Sequence, residues 1–141
     1  MENLKEIRNE LLKLHKTLME IEKQNYETKF GKVTNVQLLN LLIEDPSFKW
    51  LRDISGLVAQ MDEFFAAQKG FDPEVGLELI QKAKNLFIED GGNGNFLAKF
   101  QINLETESSV SGQYEKLIKL FKMKRRETSR LPKNIQSGQP N

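Results

Sequence analysis

The chain has 141 residues, a formal net charge of +1 and no cysteine. This length is sufficient for one domain that buries about two-thirds of its unfolded surface without cross-links. The lack of cysteine excludes disulfides, thiolate nucleophiles and cysteine-bound zinc, and it is consistent with a reducing compartment.

Membrane insertion and secretion are not indicated by the sequence. No apolar run approaches the roughly 20 residues that are needed to span a bilayer. The amino terminus alternates charged residues with leucines, which is unlike a secretory signal. We therefore predict a cytoplasmic protein without a transmembrane segment.

The first segment carries an apolar seam whose residues are three or four positions apart: Leu4, Ile7, Leu11, Leu14, Leu18 and Ile21. This spacing predicts a helix over residues 2–27 that packs nearly parallel or antiparallel to its neighbours. An intermolecular coiled coil is the alternative, although three heptads are short for one. A second, less apolar line beside the seam comprises Leu12, His15, Met19, Glu22 and Tyr26, and it is expected to face another helix or the mouth of a groove.

A short helix should follow. Thr34 and Gln37 have the spacing of a capping box, in which each side chain accepts a hydrogen bond from the other residue's backbone N–H. The leucine-rich run that comes next ends before Pro46. We expect this helix to act as a wedge that closes one end of the helical domain.

The segment that we expect at the centre of the fold begins at Asp45-Pro46, a pairing that suits a helix start. Its apolar residues occupy most of the circumference, which predicts one deeply buried helix over residues 46–69. Gly56, in the middle of this helix, is expected to mark a close crossing with another helix.

Further helices are predicted over residues 73–90 and 109–126, with a short one through residues 96–104 between them. The glycine-rich stretch at residues 91–95 lacks the lysine and hydroxyl ending of a P-loop, so we interpret it as a connector. The predicted fold is therefore an all-α, up-and-down helical bundle of four long and two short helices. Residues 1–127 would form the single domain and residues 128–141 a flexible polar and basic tail.

The sequence predicts no catalytic constellation. His15 is the only histidine, which excludes any site that needs two imidazoles. The serines lack the context of a nucleophile, and the adjacent carboxylate pairs point apart on a helix. We predict no catalytic residue, no bound metal and no cofactor.

Trp50 and Arg52 form the most suggestive candidate binding cluster, since Trp and Arg are enriched in interface hot spots. The structural alternative, which we favour, has Trp50 filling the core and Arg52 forming a surface ion pair. Together with the line on the first helix and an acidic residue of the central helix, the candidate ligand- or partner-binding residues are His15, Glu22, Tyr26, Trp50, Arg52 and Asp62.

The carboxyl end is basic. Residues 113–141 hold eight Lys or Arg and two Glu, a local charge of +6, so residues 1–112 carry −5. Such a segment could contact an anionic surface, or it could simply be a bundle helix whose last-turn cations complement the helix dipole. The flexible tail has no aromatic residue to stack on bases, which argues against a nucleic-acid partner.

Two stretches, LHKTLMEIEKQNYE and LLNLLIEDPSFKWLRDISGLVAQMDE, resemble a family of small uncharacterised bacterial all-helical proteins. The shared pattern is Leu-His-Lys, Tyr-Glu, Leu-Leu, Asp-Pro-x-Phe-x-Trp-Leu and Asp-Glu. The resemblance covers roughly residues 11–63 of this chain. It implies a helical bacterial protein and no particular reaction.

These observations predict a non-enzymatic interaction or regulatory protein with a protein partner. The alternative is a bundle that binds a small ligand or a metal in a groove near His15, Tyr26 and Trp50. An enzyme of unrecognised type is the remaining hypothesis. The sequence specifies neither the partner nor the oligomeric state.

Overall fold

The computed structural model describes residues 2–67, 72–88 and 95–136. The secondary-structure elements in these ranges are α1 (Glu2–Phe30), α2 (Asn35–Glu44), α3 (Pro46–Lys49), α4 (Arg52–Ala66), α5 (Pro73–Ile88), α6 (Asn95–Thr106) and α7 (Ser108–Gln136). All seven elements of the described chain are helices, which confirms the predicted all-α class. None of the helices, over the residues described, is both long and apolar enough to cross a membrane.

The seam of α1 lies in the core as the spacing predicts. Its members Leu4, Ile7, Leu11, Leu14 and Leu18 are fully buried or nearly so, and α1 packs against α4 and α7. The orientation of α1 against α4 follows from two contacts: Arg8 binds Asp62 of α4, and Glu22 binds Trp50, two residues before α4 begins. Glu22 follows Arg8 in the sequence, whereas its partner Trp50 precedes Asp62. The two segments therefore run in opposite directions, and α1 and α4 are antiparallel.

The start of α2 is a capping box, as predicted. The backbone N–H of Thr34 donates to the Gln37 side chain at 2.8 Å, and the N–H of Gln37 donates to Thr34 Oγ1 at 3.2 Å. Gly31, with a φ of 94°, lies in the left-handed region directly after the end of α1. Glycine adopts this conformation without the Cβ clash that other residues meet, so it ends the helix at low cost.

The single central helix predicted over residues 46–69 is wrong: the segment forms two helices, α3 and α4. Between them, the dihedral angles of Trp50 (φ −62°, ψ −24°) and Leu51 (φ −69°, ψ −18°) are those of a 3₁₀ turn. The N–H of Leu51 accordingly donates to the Phe48 carbonyl, three residues back, at 3.1 Å. This break buries Phe48, Trp50 and Leu51 together. The predicted helix end at residues 68–69 lies outside the described residues.

The expectation that the central segment is buried around most of its circumference is also wrong. One side of α4 is exposed, including Ser55, Gly56, Gln60 and Glu63. A Cβ atom built on Gly56 would meet no atom within 4 Å, so this glycine does not mark a close helix crossing. The apolar side of α4 packs against α1 and α5.

Aromatic rings connect the last three helices. Phe87 of α5 lies 5.2 Å from both Phe96 and Phe100 of α6, measured between ring centroids, and Phe100 lies 5.4 Å from Tyr114 of α7. The Trp50 ring joins this group at 5.5 Å from Phe96. The core is therefore continuous from the α3–α4 turn to α7.

The bounds of the later helices differ from the predicted ones at their ends. Helix α7 continues to Gln136, past the predicted end at residue 126. Residues 89–94, which include most of the glycine-rich connector, and residues 137–141 lie outside the described chain. The flexibility of residues 128–141 stays a prediction.

Candidate functional site

Trp50 and Glu22, two of the candidate residues, are in direct contact. The indole N–H of Trp50 donates to Glu22 Oε2 at 2.8 Å, and Trp50 is only 5% exposed. A buried indole N–H without a partner would lose its hydration at a cost of about 1–3 kcal/mol, and the carboxylate of Glu22 offsets that cost. Trp50 is thus a core residue, and its burial leaves little of the ring for a partner protein.

Tyr26 lies next to Glu22 on the rim of a pocket of about 280 Å³. Its ring is 4.7 Å from that of Phe30 and 6.2 Å from that of Phe48. Asp45 also lines this pocket, but the Ser47 hydroxyl and backbone N–H both donate to Asp45 Oδ1, at 2.6 and 2.9 Å. These two hydrogen bonds lower the pKa of Asp45, so this carboxylate serves as the cap of α3.

His15 and Arg52 lie together in a different pocket, of about 310 Å³, between α1, the end of α2 and the start of α4. The remaining lining residues are Leu42, Ile43, Phe48, Leu51 and Ser55. Burial lowers the pKa of His15 below its ordinary value of 6.5. Because a buried cation loses hydration, the imidazole is neutral at physiological pH. We call this cavity the His15–Arg52 pocket.

His15 and Tyr26 line different pockets. The fully buried Phe48 lines the His15–Arg52 pocket and makes an edge contact with the ring of Tyr26, which lines the other pocket. The candidate residues that the sequence places in one groove near His15, Tyr26 and Trp50 are therefore not brought together in a single pocket.

Asp62 is paired with an arginine of α1. Its carboxylate accepts from Arg8 Nε at 2.8 Å and from a terminal nitrogen of Arg8 at 3.3 Å. An exposed bidentate pair of this kind contributes about 1 kcal/mol or less to stability. Asp62 lines neither of the two pockets that hold the other candidate residues. In the part of the chain that the structure describes, no group of three or more His, Asp or Glu residues is placed to hold a metal ion.

The clearest surface feature is one that the sequence analysis missed. Helix α2 exposes a row of apolar side chains, with Val36 70%, Leu39 57% and Ile43 53% exposed, and Phe30 at the end of α1 is 71% exposed. Leu38 of α2 is buried, and Leu41 and Leu42 are partly buried against the core. The expected role of α2 as a wedge that closes one end of the domain stays a prediction. The signal was present in the sequence, since positions 36, 39 and 43 have the spacing of one helix face. We call these three residues the α2 face.

The basic end contributes exposed cations on α7. Lys116, Lys119 and Lys122 are exposed, while Val110, Leu117 and Phe121 of the same helix are buried. A pocket of about 440 Å³ between α1 and α7 places Lys116 and Lys119 beside Glu6 and Glu10, so its lining is of mixed charge. The buried side of α7 and its packing on α1 agree with an ordinary bundle helix.

No protein-family model, no curated protein and no solved structure matches this chain. Function is therefore inferred from the geometry of the chain itself.

Proposed function

We propose that the protein is a non-enzymatic interaction module that binds an amphipathic helix of a partner protein on its α2 face. The observation that carries this proposal is the exposed row of Val36, Leu39 and Ile43. Single exposed apolar residues are ordinary on protein surfaces, whereas a contiguous apolar row marks an interaction site.

The spacing of the row favours a helical partner. Positions separated by three and four residues form the type of seam by which helices pack side by side. The neighbouring positions on α2 are polar, with Gln37 and Asn40 exposed and Glu44 at its end. An apolar row with polar flanks is the pattern of helix recognition in which a partner helix contributes its own apolar side.

The size of the row argues for a single helix rather than for a second copy of the chain. Helix α2 has 10 residues, which corresponds to a length of about 15 Å. A stable interface buries about 800 Å² on each partner, which is more than one side of so short a helix provides. A partner helix seated along α2 needs only a local contact and fits a regulatory, reversible interaction.

The non-enzymatic class is supported by the contacts of three carboxylates, two of which belong to the candidate residues. Glu22 binds the indole of Trp50, Asp45 caps α3 and Asp62 pairs with Arg8. Each of these carboxylates thus has a structural role.

We infer an up-and-down arrangement of the helices. Its support is the antiparallel contact of α1 with α4, the hydrogen bond of Lys82 to Gln60 between α5 and α4, and the one-residue connection at Glu107 between α6 and α7. A cytoplasmic location is part of the same proposal and is supported by the absence of cysteine. Membership of the small bacterial helical family remains a proposal that rests on the resemblance of residues 11–63.

A second candidate function, small-ligand binding, is favoured by one specific observation. The His15–Arg52 pocket combines an apolar lining with three polar side chains. Its ligand is argued separately below.

The interaction proposal is tested by capture from an extract of the source organism, quantified by mass spectrometry. The immobilised baits are the wild-type protein, Leu39→Glu and the matched control Ile102→Glu, whose site on α6 is 63% exposed. We expect the wild-type and Ile102→Glu baits to capture the same partner protein, and we expect the Leu39→Glu bait to lose it. Retention of the same proteins by all three baits would contradict the proposal.

A further inference from the structure

The His15–Arg52 pocket has an apolar interior. Four of its seven lining residues are Leu42, Ile43, Phe48 and Leu51, and the last two are almost completely buried. Its volume of about 310 Å³ is at the lower end of the roughly 300–1,000 Å³ found for ligand sites. The interior is therefore suited to the apolar part of a small molecule.

The polar side chains at this pocket favour an anion. Arg52 supplies a permanent positive charge, and His15 and Ser55 supply uncharged hydrogen-bonding groups. The described lining contains no Asp or Glu that would neutralise the arginine. An uncompensated cation beside an apolar cavity attracts a ligand with one negative group and an apolar remainder.

The terminal nitrogens of Arg52 are available to a ligand. The side chain is exposed, and its Nε–H donates a long hydrogen bond of 3.5 Å to the carbonyl of Leu42, near the end of α2. Neither terminal nitrogen of Arg52 donates to any other residue that the structure describes. The planar guanidinium matches the two oxygens of a carboxylate and can bind both with parallel hydrogen bonds.

His15 provides a second donor from another helix. It belongs to α1 whereas Arg52 belongs to α4, and no described residue hydrogen-bonds to its ring. A neutral imidazole carries one N–H donor and one acceptor nitrogen. That N–H is therefore available to an oxygen of a ligand in this pocket.

From this arrangement we propose that the His15–Arg52 pocket binds a small monocarboxylic acid with an apolar body. The carboxylate lies on the Arg52 guanidinium and accepts a hydrogen bond from His15, and the apolar body contacts Leu42 and Ile43. This site goes beyond the proposed docking of a partner helix and does not depend on it. Its polar groups lie outside the α2 face, and Ile43 is the one residue that the pocket and the α2 face share.

The sole histidine provides a direct probe of this site. Because His15 is the only histidine, the isolated protein gives one set of imidazole signals in a ¹H–¹³C NMR spectrum. A carboxylate beside the ring stabilises the imidazolium form and raises the pKa of His15. Arg52 is the other ionisable side chain among the described lining residues, and its charge is constant over the range of the titration.

The experiment titrates the full chain with butyrate, hexanoate and octanoate and compares hexanoate with hexylamine, hexanol and inorganic phosphate. We expect saturable shifts of the His15 signals with the acids, tighter binding as the chain lengthens from butyrate to hexanoate, and a higher pKa of His15 in the bound state. Hexylamine should not bind at this site, and hexanol and phosphate should each bind at least tenfold more weakly than hexanoate.

Variants identify the residue that recognises the carboxylate. Arg52→Gln should weaken hexanoate binding at least tenfold. Arg52→Lys keeps the charge but loses the paired donors, so its affinity for hexanoate should lie between that of Arg52→Gln and that of the wild type. Arg8→Gln is the matched control, since Arg8 is an arginine of α1 that pairs with Asp62 outside the pocket, and it should bind like the wild type. Thermal unfolding of each variant verifies that it is folded.

Three results would overturn the proposal: no shift of the His15 signals with any acid at millimolar concentration, equal binding of hexanoate and hexylamine, or unchanged binding in a folded Arg52→Gln. All three are measured on the isolated protein without a partner. Failure of this proposal is therefore distinct from failure of the α2 interaction, which would appear only in the capture experiment.

Discussion

The indole N–H of Trp50 donates to Glu22 Oε2 at 2.8 Å, and this hydrogen bond connects the turn between α3 and α4 to the second half of α1. The other side of the indole packs against Phe96 at the start of α6. One side chain thus joins three parts of the fold, with an apolar contact on one side and a charged acceptor on the other. Removal of this side chain should therefore destabilise the whole core.

Replacement of Trp50 by alanine should lower the free energy of unfolding by about 3–5 kcal/mol, the cost of truncating a large buried aromatic side chain. Trp50→Phe should cost less, since it retains a ring against Phe96 but loses the hydrogen bond to Glu22. Chemical denaturation with far-ultraviolet circular dichroism measures both variants. A loss under about 1 kcal/mol for Trp50→Ala would contradict the core role of this residue.

Gly56 offers a test of the exposed side of α4. Alanine there has free space for its Cβ atom and restricts the unfolded chain, so Gly56→Ala should stabilise the protein by about 0.5–1 kcal/mol. Gly31→Ala is the opposite control, because the φ of 94° at Gly31 disfavours alanine and should make that variant less stable by about 1 kcal/mol or more. Destabilisation by Gly56→Ala in thermal or denaturant unfolding would show that a neighbouring element does approach this glycine.

Several features of the fold could be predicted from the sequence because they are encoded locally. The seam of α1, the Thr34–Gln37 capping box and the start of α5 each depend on residues within a few positions of one another. At the last of these, Asp72 Oδ1 accepts from the N–H of Glu74 at 3.0 Å. Spacing and capping chemistry are sufficient to place such helices.

The break at Trp50–Leu51 was not predictable in the same way. The turn contains no glycine or proline, and its apolar residues continue the three-and-four spacing of a regular helix. The turn buries Phe48, Trp50 and Leu51, and Phe48 and Trp50 contact residues that are distant in the sequence. The misinterpretation of Gly56 has the same origin, because a local sequence does not state which side of a helix meets a neighbour.

The layout of the candidate residues on α1 was predictable from their spacing, whereas their role as a binding site stays a prediction. His15, Glu22 and Tyr26 do lie along one side of α1, and each lines a pocket. The sequence could not show that His15 lines one pocket whereas Glu22 and Tyr26 line another. It likewise gave no reason to expect that α2 packs through Leu38 and leaves Leu39 exposed.

The pH dependence of stability should reveal the burial of His15. Because burial lowers the pKa of His15 below 6.5, the unfolded chain binds a proton more readily than the folded one between the two pKa values. The stabilisation of the folded state by the neutral His15 is therefore fully present above about pH 6.5. It is lost as the pH falls through that value towards the lower pKa of the folded state.

The measurement compares the free energy of unfolding of the wild type and His15→Gln at several pH values from 7.5 to 5.0. The carboxylates are the same in both proteins, so their titration cancels in the difference. We expect the wild type to lose stability relative to His15→Gln as the pH falls. A gain relative to the variant on acidification would mean that an acidic partner stabilises the imidazolium in the folded protein.

Any attraction of the protein to an anionic surface should depend on its basic end. Residues 113–141 carry +6 whereas the rest of the chain carries −5. Binding that is driven by counterion release falls steeply with added salt. We expect weak binding to anionic vesicles at low salt and none at physiological salt.

Two truncations provide the test in a vesicle-sedimentation assay. A chain that ends at Lys124 lacks Arg125, Arg126, Arg130 and Lys133 together with Glu127, a change of −3, and it should lose the low-salt binding. A chain that ends at Gln136 loses only uncharged side chains and should bind like the full protein. Binding that persists in the shorter chain at physiological salt would place the attraction elsewhere.

Site-specific photo-cross-linking in cells of the source organism tests the α2 interaction most directly. The photoreactive residue p-benzoylphenylalanine replaces Leu39 of the α2 face in one variant and Ile102 of α6, which is also exposed, in the other. We expect a discrete protein cross-linked from position 39, through a segment with the apolar spacing of an amphipathic helix, and no such product from position 102. If position 39 gives no product, or if both positions give the same products, the α2 face does not bind a partner helix.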